Sequence, residues 1–142
     1  MALVLADVGA GIILNAFFNN SWAAGGKNLT LKLFVTDVTP AQNSTAGSFT
    51  EASGGGYSSK TLSNGSWTVN AAGDPPVASY AQQTWTFTGP LTTNGTVYGY
   101  YIVDADGTLL YAEKFSQSFT PANNGDQILL TPRFELSSGT PT

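Results

Sequence analysis

The fold is decided by the stretch VYGYYIVDADGTLLYAEKF, residues 97–115, which has an Asp-x-Asp-Gly motif at its centre. The runs on either side, residues 97–103 and 108–115, are rich in the aromatic and branched residues that suit a pleated sheet. Asp106-Gly107 is a strong hairpin signal, because glycine accepts the positive φ of a tight primed turn. The stretch therefore predicts two antiparallel strands joined by a turn.

The same motif is also found at the start of calcium loops of the EF-hand type. Such a loop needs an oxygen ligand at its fifth position, glycine at the sixth and glutamate at the twelfth. Counted from Asp104, these positions hold Thr108, Leu109 and Phe115. The mismatch at the last two positions favours the turn over a metal site, and we expect neither a metal nor another cofactor.

Most of the remaining chain alternates apolar and polar residues with the period of a strand. Asn-Gly pairs at residues 64–65, 94–95 and 124–125 are well placed to reverse the chain. Before this pattern begins, Ile12, Ile13 and Phe17 fall at helical spacing and indicate one short helix over about residues 9–18. The predicted strands lie at residues 29–35, 48–52, 57–62, 66–70, 77–88, 97–103, 108–115 and 127–136.

Together these signals predict an all-β fold, an antiparallel β-sandwich of about eight strands with a short N-terminal helix. The long connections at residues 37–48 and 71–77 favour a jelly-roll or Greek-key path over a simple meander. We expect an N-terminal segment over residues 1–28, a β-sandwich domain over residues 29–136 and a mobile tail over residues 137–142.

The composition excludes several classes of chemistry. The chain has no cysteine and no histidine, so it lacks a thiol nucleophile, the usual zinc ligands and the commonest general base. Only 10% of its residues are charged, and its five basic residues are scattered, so no stripe could neutralise the phosphates of a nucleic acid. We expect no nucleic-acid partner.

Carboxylates are the remaining candidates for catalysis, and a glycosidase needs two of them facing each other across a cleft. Glu51, Glu113 and Glu135 are available, but the sequence cannot place any two of them opposite one another. Glu113 and Lys114 are neighbours on a strand, so their side chains point to opposite faces. We expect no enzymatic activity and no small-molecule substrate.

Aromatic residues offer possible platforms for stacking on sugars. The candidates are Trp22, Trp67, Trp85, Tyr98, Tyr100 and Tyr101. Trp85 alternates with Phe87 on an apolar face, which favours core packing for that ring. Exposure of Trp22 or Tyr100 would favour a carbohydrate-binding sandwich.

The N-terminal stretch MALVLADVGAGIILNAFFNNSWAA, residues 1–24, is unusually apolar for a small domain. It has no basic residue before Lys27, and Asp7 and Asn15 interrupt it well short of the ~20 apolar residues of a membrane span. We expect no membrane partner. This stretch either closes the core of its own subunit or docks on a neighbour through these interface candidates: Leu3, Leu5, Ile12, Ile13, Phe17, Phe18 and Trp22.

Four segments resemble a group of small structural proteins from the virions of tailed bacteriophages. They are LKLFVTDVTP (31–40), FTEASGGGYSSKTL (49–62), residues 97–115 quoted above, and NNGDQILLTPRFEL (123–136). The chain is in this respect similar to capsid decoration, or cement, proteins with jelly-roll folds. The resemblance brings no catalytic residues with it.

That resemblance implies a decoration protein on the capsid surface of a virion, made in the host cytoplasm. Its partners would be the major capsid protein and other copies of itself, as a homotrimer. A surface of hydroxyls and amides suits this role, because it is buried with less desolvation penalty than isolated charges. The alternative is a tail-associated receptor-binding or carbohydrate-binding β-sandwich module.

Overall fold

The computed structural model of the protein describes residues 6–19 and 28–136. This part of the chain contains one α-helix and nine β-strands. In chain order these are α1 (Asp7–Asn19), β1 (Leu29–Phe34), β2 (Lys60–Leu62), β3 (Thr68–Asn70), β4 (Val77–Ser79), β5 (Gln83–Thr86), β6 (Val97–Val103), β7 (Leu109–Phe119), β8 (Gln127–Leu130) and β9 (Arg133–Glu135). A single 3₁₀ turn, Ala46–Ser48, follows β1.

The chain folds as two compact units, each assembled from separate stretches of sequence. The described part of the first unit comprises residues 6–19, 63–82 and 131–136. It holds an antiparallel sheet of three strands in the order β3-β4-β9, and α1 packs against β3 and β4. The helix approaches so closely that a Cβ on Gly11 would lie 2.4 Å from Cβ of Ala71. Glycine at this position therefore permits the packing.

The second unit comprises residues 28–62 and 83–130. It holds an antiparallel sheet of four strands in the order β2-β1-β6-β7 and an antiparallel pair, β5-β8. The two sheets meet through Trp85 of β5, whose indole Nε1 donates a hydrogen bond to the carbonyl of Ser58 at 2.8 Å. Lys60 of β2 lies over the same indole ring, 5.7 Å from its centroid. This unit is a β-sandwich.

The central strands of the four-stranded sheet, β1 and β6, have buried side chains on both faces. On one face Leu31 and Leu33 of β1 are fully buried. On the other face Phe34 is fully buried in an aromatic cluster, with its ring centroid 4.9 Å from that of Phe49. Tyr101 completes the cluster, stacking on Phe49 at 5.3 Å. Burial of β1 on both faces explains why this strand is apolar at Phe34 as well as at the alternate leucines.

The structure confirms the predicted all-β fold with antiparallel sheets and a short N-terminal helix. It also confirms the hairpin, because β6 and β7 pair antiparallel on either side of residues 104–107. Asp104 closes the turn: its Oδ1 accepts hydrogen bonds from the amides of Asp106, at 2.9 Å, and Thr108, at 2.8 Å. Gly107 has a φ of 84°, as the turn requires.

Several strand boundaries were predicted wrongly. Residues 77–88 and 127–136 were each expected to form one strand, but each forms two. Residues 77–88 form β4 and β5, and residues 127–136 form β8 and β9. β4 pairs with β9 in the first unit, whereas β5 pairs with β8 in the second. Pro132 lies between β8 and β9, and its missing N–H cannot continue a ladder. Residues 48–52 contribute only an isolated bridge, from Glu51 to Phe34.

The structure brings the N-terminal helix into a unit with residues from the middle and the end of the chain. The predicted division into residues 1–28, 29–136 and 137–142 remains a prediction. Its tail, together with residues 1–5 and 20–27, lies outside the described residues.

Candidate functional site

The interface candidates on α1 divide into buried and exposed side chains. Ile12 and Ile13 are 65% and 51% exposed. Phe17 is half-buried, and Phe18 is only 3% exposed. Leu3, Leu5 and Trp22 lie outside the described residues. Of the described candidates, Ile12 and Ile13 are therefore the two that present the most apolar surface to solvent.

Phe18 belongs to the core of the first unit. Its ring centroid lies 4.3 Å from that of Trp67 and 4.9 Å from that of Phe134. The C-terminal end of α1 is also fixed by polar contacts, since the carbonyl of Phe18 accepts hydrogen bonds from the amide of Gly65 at 2.9 Å and from Nδ2 of Asn64 at 3.0 Å. The predicted Asn-Gly turn thus receives the end of the helix. This contact fixes the end of the helix and so the direction of Ile12 and Ile13, which lie one to two helical turns before Phe18.

The three carboxylates considered for catalysis have separate partners. Glu51 binds Lys32 through Nζ at 2.9 Å and accepts a hydrogen bond from the hydroxyl of Tyr57 at 3.0 Å. Glu135 makes a surface ion pair with Arg133 at 3.2 Å. Glu113 accepts a short hydrogen bond, 2.6 Å, from the hydroxyl of Tyr100.

The tyrosines that donate to Glu51 and Glu113 remain protonated over a wide pH range. Burial raises the pKa of the Tyr100 hydroxyl, and the hydrogen bond to Glu113 raises it further. Burial likewise raises the pKa of Tyr57, although the hydrogen bond between its hydroxyl and the amide of Leu33 partly opposes that shift. Both hydroxyls are therefore permanent hydrogen-bond donors to their carboxylates.

Glu113 and Lys114 point to opposite faces of the sheet, as their alternation predicted. Glu113 contacts Tyr100, whereas the ammonium group of Lys114 pairs with Asp37 at 2.5 Å and lies 5.9 Å from the ring centroid of Tyr98. The carboxylate and the ammonium group of these neighbours are thus held by different partners.

Most of the aromatic residues considered as sugar platforms are buried. Trp85 is 2% exposed, which confirms its predicted place in the core. Trp67, Tyr100 and Tyr101 are also buried, and Tyr98 is half-buried. None of these four buried rings offers a face to a ligand.

Sequence reasoning missed two other aromatic residues, Tyr111 and Phe115 of β7. Tyr111 is exposed and Phe115 is half-buried, and their ring centroids lie 6.1 Å and 6.0 Å from that of Tyr100. Glu113 lies between them in sequence, so residues 111, 113 and 115 alternate along the strand. This aromatic-carboxylate-aromatic alternation was visible in the sequence.

A large bulge in β7 forms one wall of a groove. Val97 pairs with Phe119 and Gly99 with Lys114, so β7 advances by more residues than β6 between these two pairs. The extra residues leave this ladder, and Ser116 and Gln117 among them line a groove together with residues of β8. The resulting groove has a volume of about 550 Å³ and is lined by Glu113, Lys114, Phe115, Ser116, Gln117, Phe119 and Ile128. Leu129, 54% exposed, also lines it.

The groove combines apolar side chains with hydroxyl, amide and carboxylate groups. Such a mixture can bind an uncharged polar ligand or a peptide. No group of three or more acidic side chains that could hold a metal ion occurs in residues 6–19 and 28–136. Over the same residues, no helix is long and apolar enough to cross a membrane.

No protein-family model, curated protein or solved structure matches the chain.

Proposed function

We propose that the chain is a structural protein of a bacteriophage virion, a capsid decoration protein that stabilises the head by bridging capsid subunits. The observation that carries the proposal is the exposed pair Ile12 and Ile13 on α1. It is joined by the sequence resemblance of residues 31–136 to virion proteins and by a surface with few charges. In this role the protein acts as a homotrimer on the capsid surface and performs no catalysis.

The helix presents Ile12 and Ile13 from a fixed base. Ala10, Leu14 and Phe18 are buried along one face of α1, so the helix is held by its own unit while Ile12 and Ile13, outside that face, remain exposed. Full burial of an isoleucine side chain contributes about 1.5–3 kcal/mol. Because each of these side chains is roughly half exposed, docking of the pair would contribute about 2 kcal/mol per copy, or roughly 30-fold in affinity.

Substitution of the two isoleucines tests the docking directly. Ile12→Gln with Ile13→Gln keeps good helix formers and should leave the fold intact while lowering occupancy of purified particles at least tenfold. Deleting residues 1–10 would be less specific, because it removes the buried Ala10 and the first turn of α1. Leu110→Gln, a change at an exposed leucine of β7, is the matched control and should not alter occupancy.

The assay has three measurements on purified particles. Retained protein is quantified after washing from low to physiological ionic strength, and little loss is expected because the docking side chains are uncharged. Particles with and without the protein are then heated, and those without it should open at a lower temperature. An image of the intact particle, with its subunits assigned, shows whether the protein lies on the head or on the tail.

Unchanged occupancy of the double variant would refute docking through α1. Equal heat resistance without the protein would refute the cement role. A subunit found only at the tail tip would move the assignment to the receptor-binding alternative.

A further inference from the structure

We propose that the groove between β7 and β8 is a binding site for a neutral saccharide. This inference goes beyond the decoration role and does not depend on it, because the groove is formed within one unit of a single chain.

The size and construction of the groove fit a ligand of one or two sugar rings. Its volume of about 550 Å³ lies within the range of about 300–1,000 Å³ that is usual for small-ligand sites. Its wall is the β7 bulge between the pairs Gly99–Lys114 and Val97–Phe119. Bulges of this kind re-aim side chains next to binding sites. Here the bulge directs Ser116 and Gln117 into the lining of the groove.

Glu113 supplies an oriented acceptor. The hydroxyl of the buried Tyr100 donates to Oε2 at 2.6 Å, which restricts rotation of the carboxylate. A carboxylate oxygen accepts more than one hydrogen bond, so Glu113 can also accept from a sugar hydroxyl. Gln117 and Ser116 are exposed and add an amide and a hydroxyl that both donate and accept. Vicinal hydroxyls of a sugar need this mixture of donors and acceptors.

The apolar part of the groove suits the C–H face of a sugar ring. Phe115 and Phe119 line it from β7, and Ile128 lines it from β8. The ring of Phe115 packs near the buried ring of Tyr100, with their centroids 6.0 Å apart. An aromatic ring beside a fixed carboxylate can contact the apolar face of a pyranose while the carboxylate binds its hydroxyls.

The charges of the lining residues select a neutral ligand. Glu113 brings a negative charge to the groove. Lys114 also borders the groove, but its ammonium group is engaged by Asp37 on the opposite face of the sheet. An anionic ligand such as a nucleotide finds no free cation here. A hydrocarbon ligand without any N–H or O–H donor would bury the carboxylate of Glu113 unpaired, which is unfavourable. A polyhydroxylated neutral ligand satisfies both the carboxylate and the rings.

The test begins with the purified protein on an array of neutral mono- and oligosaccharides that includes glucose, galactose, mannose and N-acetylglucosamine. We expect at least one glycan to be retained. Titration of ¹⁵N-labelled protein with that glycan should shift backbone amide signals at residues 113–119 and 128–129. Retention of none, or shifts confined to other residues, would overturn the proposal.

Two variants examine the chemistry. Glu113→Gln keeps an acceptor for Tyr100 but removes the charge, so binding should weaken at least tenfold, because hydrogen bonds to charged groups are roughly twice as strong as neutral ones. Gln117→Ala changes an exposed side chain and should also weaken binding. Glu135→Gln and Gln42→Ala are the matched controls and should bind like the wild type. If Glu113→Gln and Gln117→Ala both bind within twofold of the wild type, the groove is not the site.

Discussion

Replacement of Gly99 by alanine should disrupt the second unit at the ladder that positions Glu113. Gly99 lies in β6, between β1 and β7, opposite Phe34 on one side and Lys114 on the other. A Cβ at this position would lie 2.1 Å from the carbonyl oxygen of Glu113 and 2.6 Å from Cζ of Phe34. Both distances are far below van der Waals contact, so the neighbours must move.

The magnitude follows from which atoms have to move. Adding a methyl group to a packed core destabilises a protein by about 1–3 kcal/mol when side chains can adjust. The closest atom to the new Cβ of Gly99 is instead a backbone oxygen in a sheet ladder, so we expect a loss of about 3 kcal/mol or more in the free energy of unfolding. For a domain of this size the melting temperature should fall by roughly 10 °C or more.

Thermal and urea unfolding of Gly99→Ala, monitored by circular dichroism, gives the measurement. Gly47→Ala is the control, because a Cβ there would lie at an ordinary 3.6 Å from Oγ1 of Thr45. This control should change stability by less than about 0.5 kcal/mol. Adding Phe34→Leu to Gly99→Ala relieves only the ring contact, so less than half of the loss should return. A Gly99→Ala variant as stable as wild type would show that β6 and β7 do not approach as described.

Two further predictions concern the first unit's core and a loop of the second. Phe134→Ala should lower the free energy of unfolding by about 2 kcal/mol, less than the roughly 3–5 kcal/mol of a fully buried ring, because Phe134 is half-buried against Phe18. Urea unfolding measures this loss, with a substitution at an exposed residue, Ile12→Ala, as the control. A loss below about 0.5 kcal/mol would contradict the prediction. The amides of Ala122 and Asn123 donate hydrogen bonds that hold the pKa of Asp126 below its ordinary value of 3.8. The ionised carboxylate therefore stabilises the fold above pH 3.8, and this stabilisation is lost as the pH falls through the lower pKa of the folded state. Asp126→Asn should therefore lower the melting temperature at neutral pH. Thermal melts of wild type and variant down to about pH 2 should show the difference in melting temperature shrinking below about pH 4. A difference that stays constant with pH would exclude the ionised carboxylate as its cause.

The local elements of the fold could be predicted because their signals are local. Asp106-Gly107 between two β-type runs specified the hairpin, and the spacing of Ile12, Ile13 and Phe17 specified α1, which the structure extends by only a few residues. Alternation with Phe87 placed Trp85 in the core. In each case a few neighbouring residues carry the information, and the period of the pattern matches the element.

Features that depend on pairing between distant segments were not predictable in this way. The runs at residues 77–88 and 127–136 were each predicted to form one strand, although Pro132 interrupts the second, and each supplies strands to two different sheets. The position of the β7 bulge depends on the register between β7 and β6, and the sequence of one strand alone does not specify that register. The groove follows from that bulge, so its lining residues could not be grouped from sequence, although Tyr111, Glu113 and Phe115 already marked one face of the strand.

The basic side chains of the described residues are engaged inside the protein's own structure, and this bears on both proposals. Lys32, Lys114 and Arg133 each pair with a carboxylate of the same chain, and Lys60 lies over Trp85. Among residues 6–19 and 28–136 these are all of the basic side chains, so little positive charge remains for a partner. Association through this surface then draws on apolar side chains, as the isoleucine pair on α1 does, or on hydrogen bonds to uncharged partners, as the groove on β7 does. Capsid attachment and saccharide binding should therefore respond alike to salt, while the isoleucine and Glu113 variants separate them, because each substitution changes only one of the two surfaces.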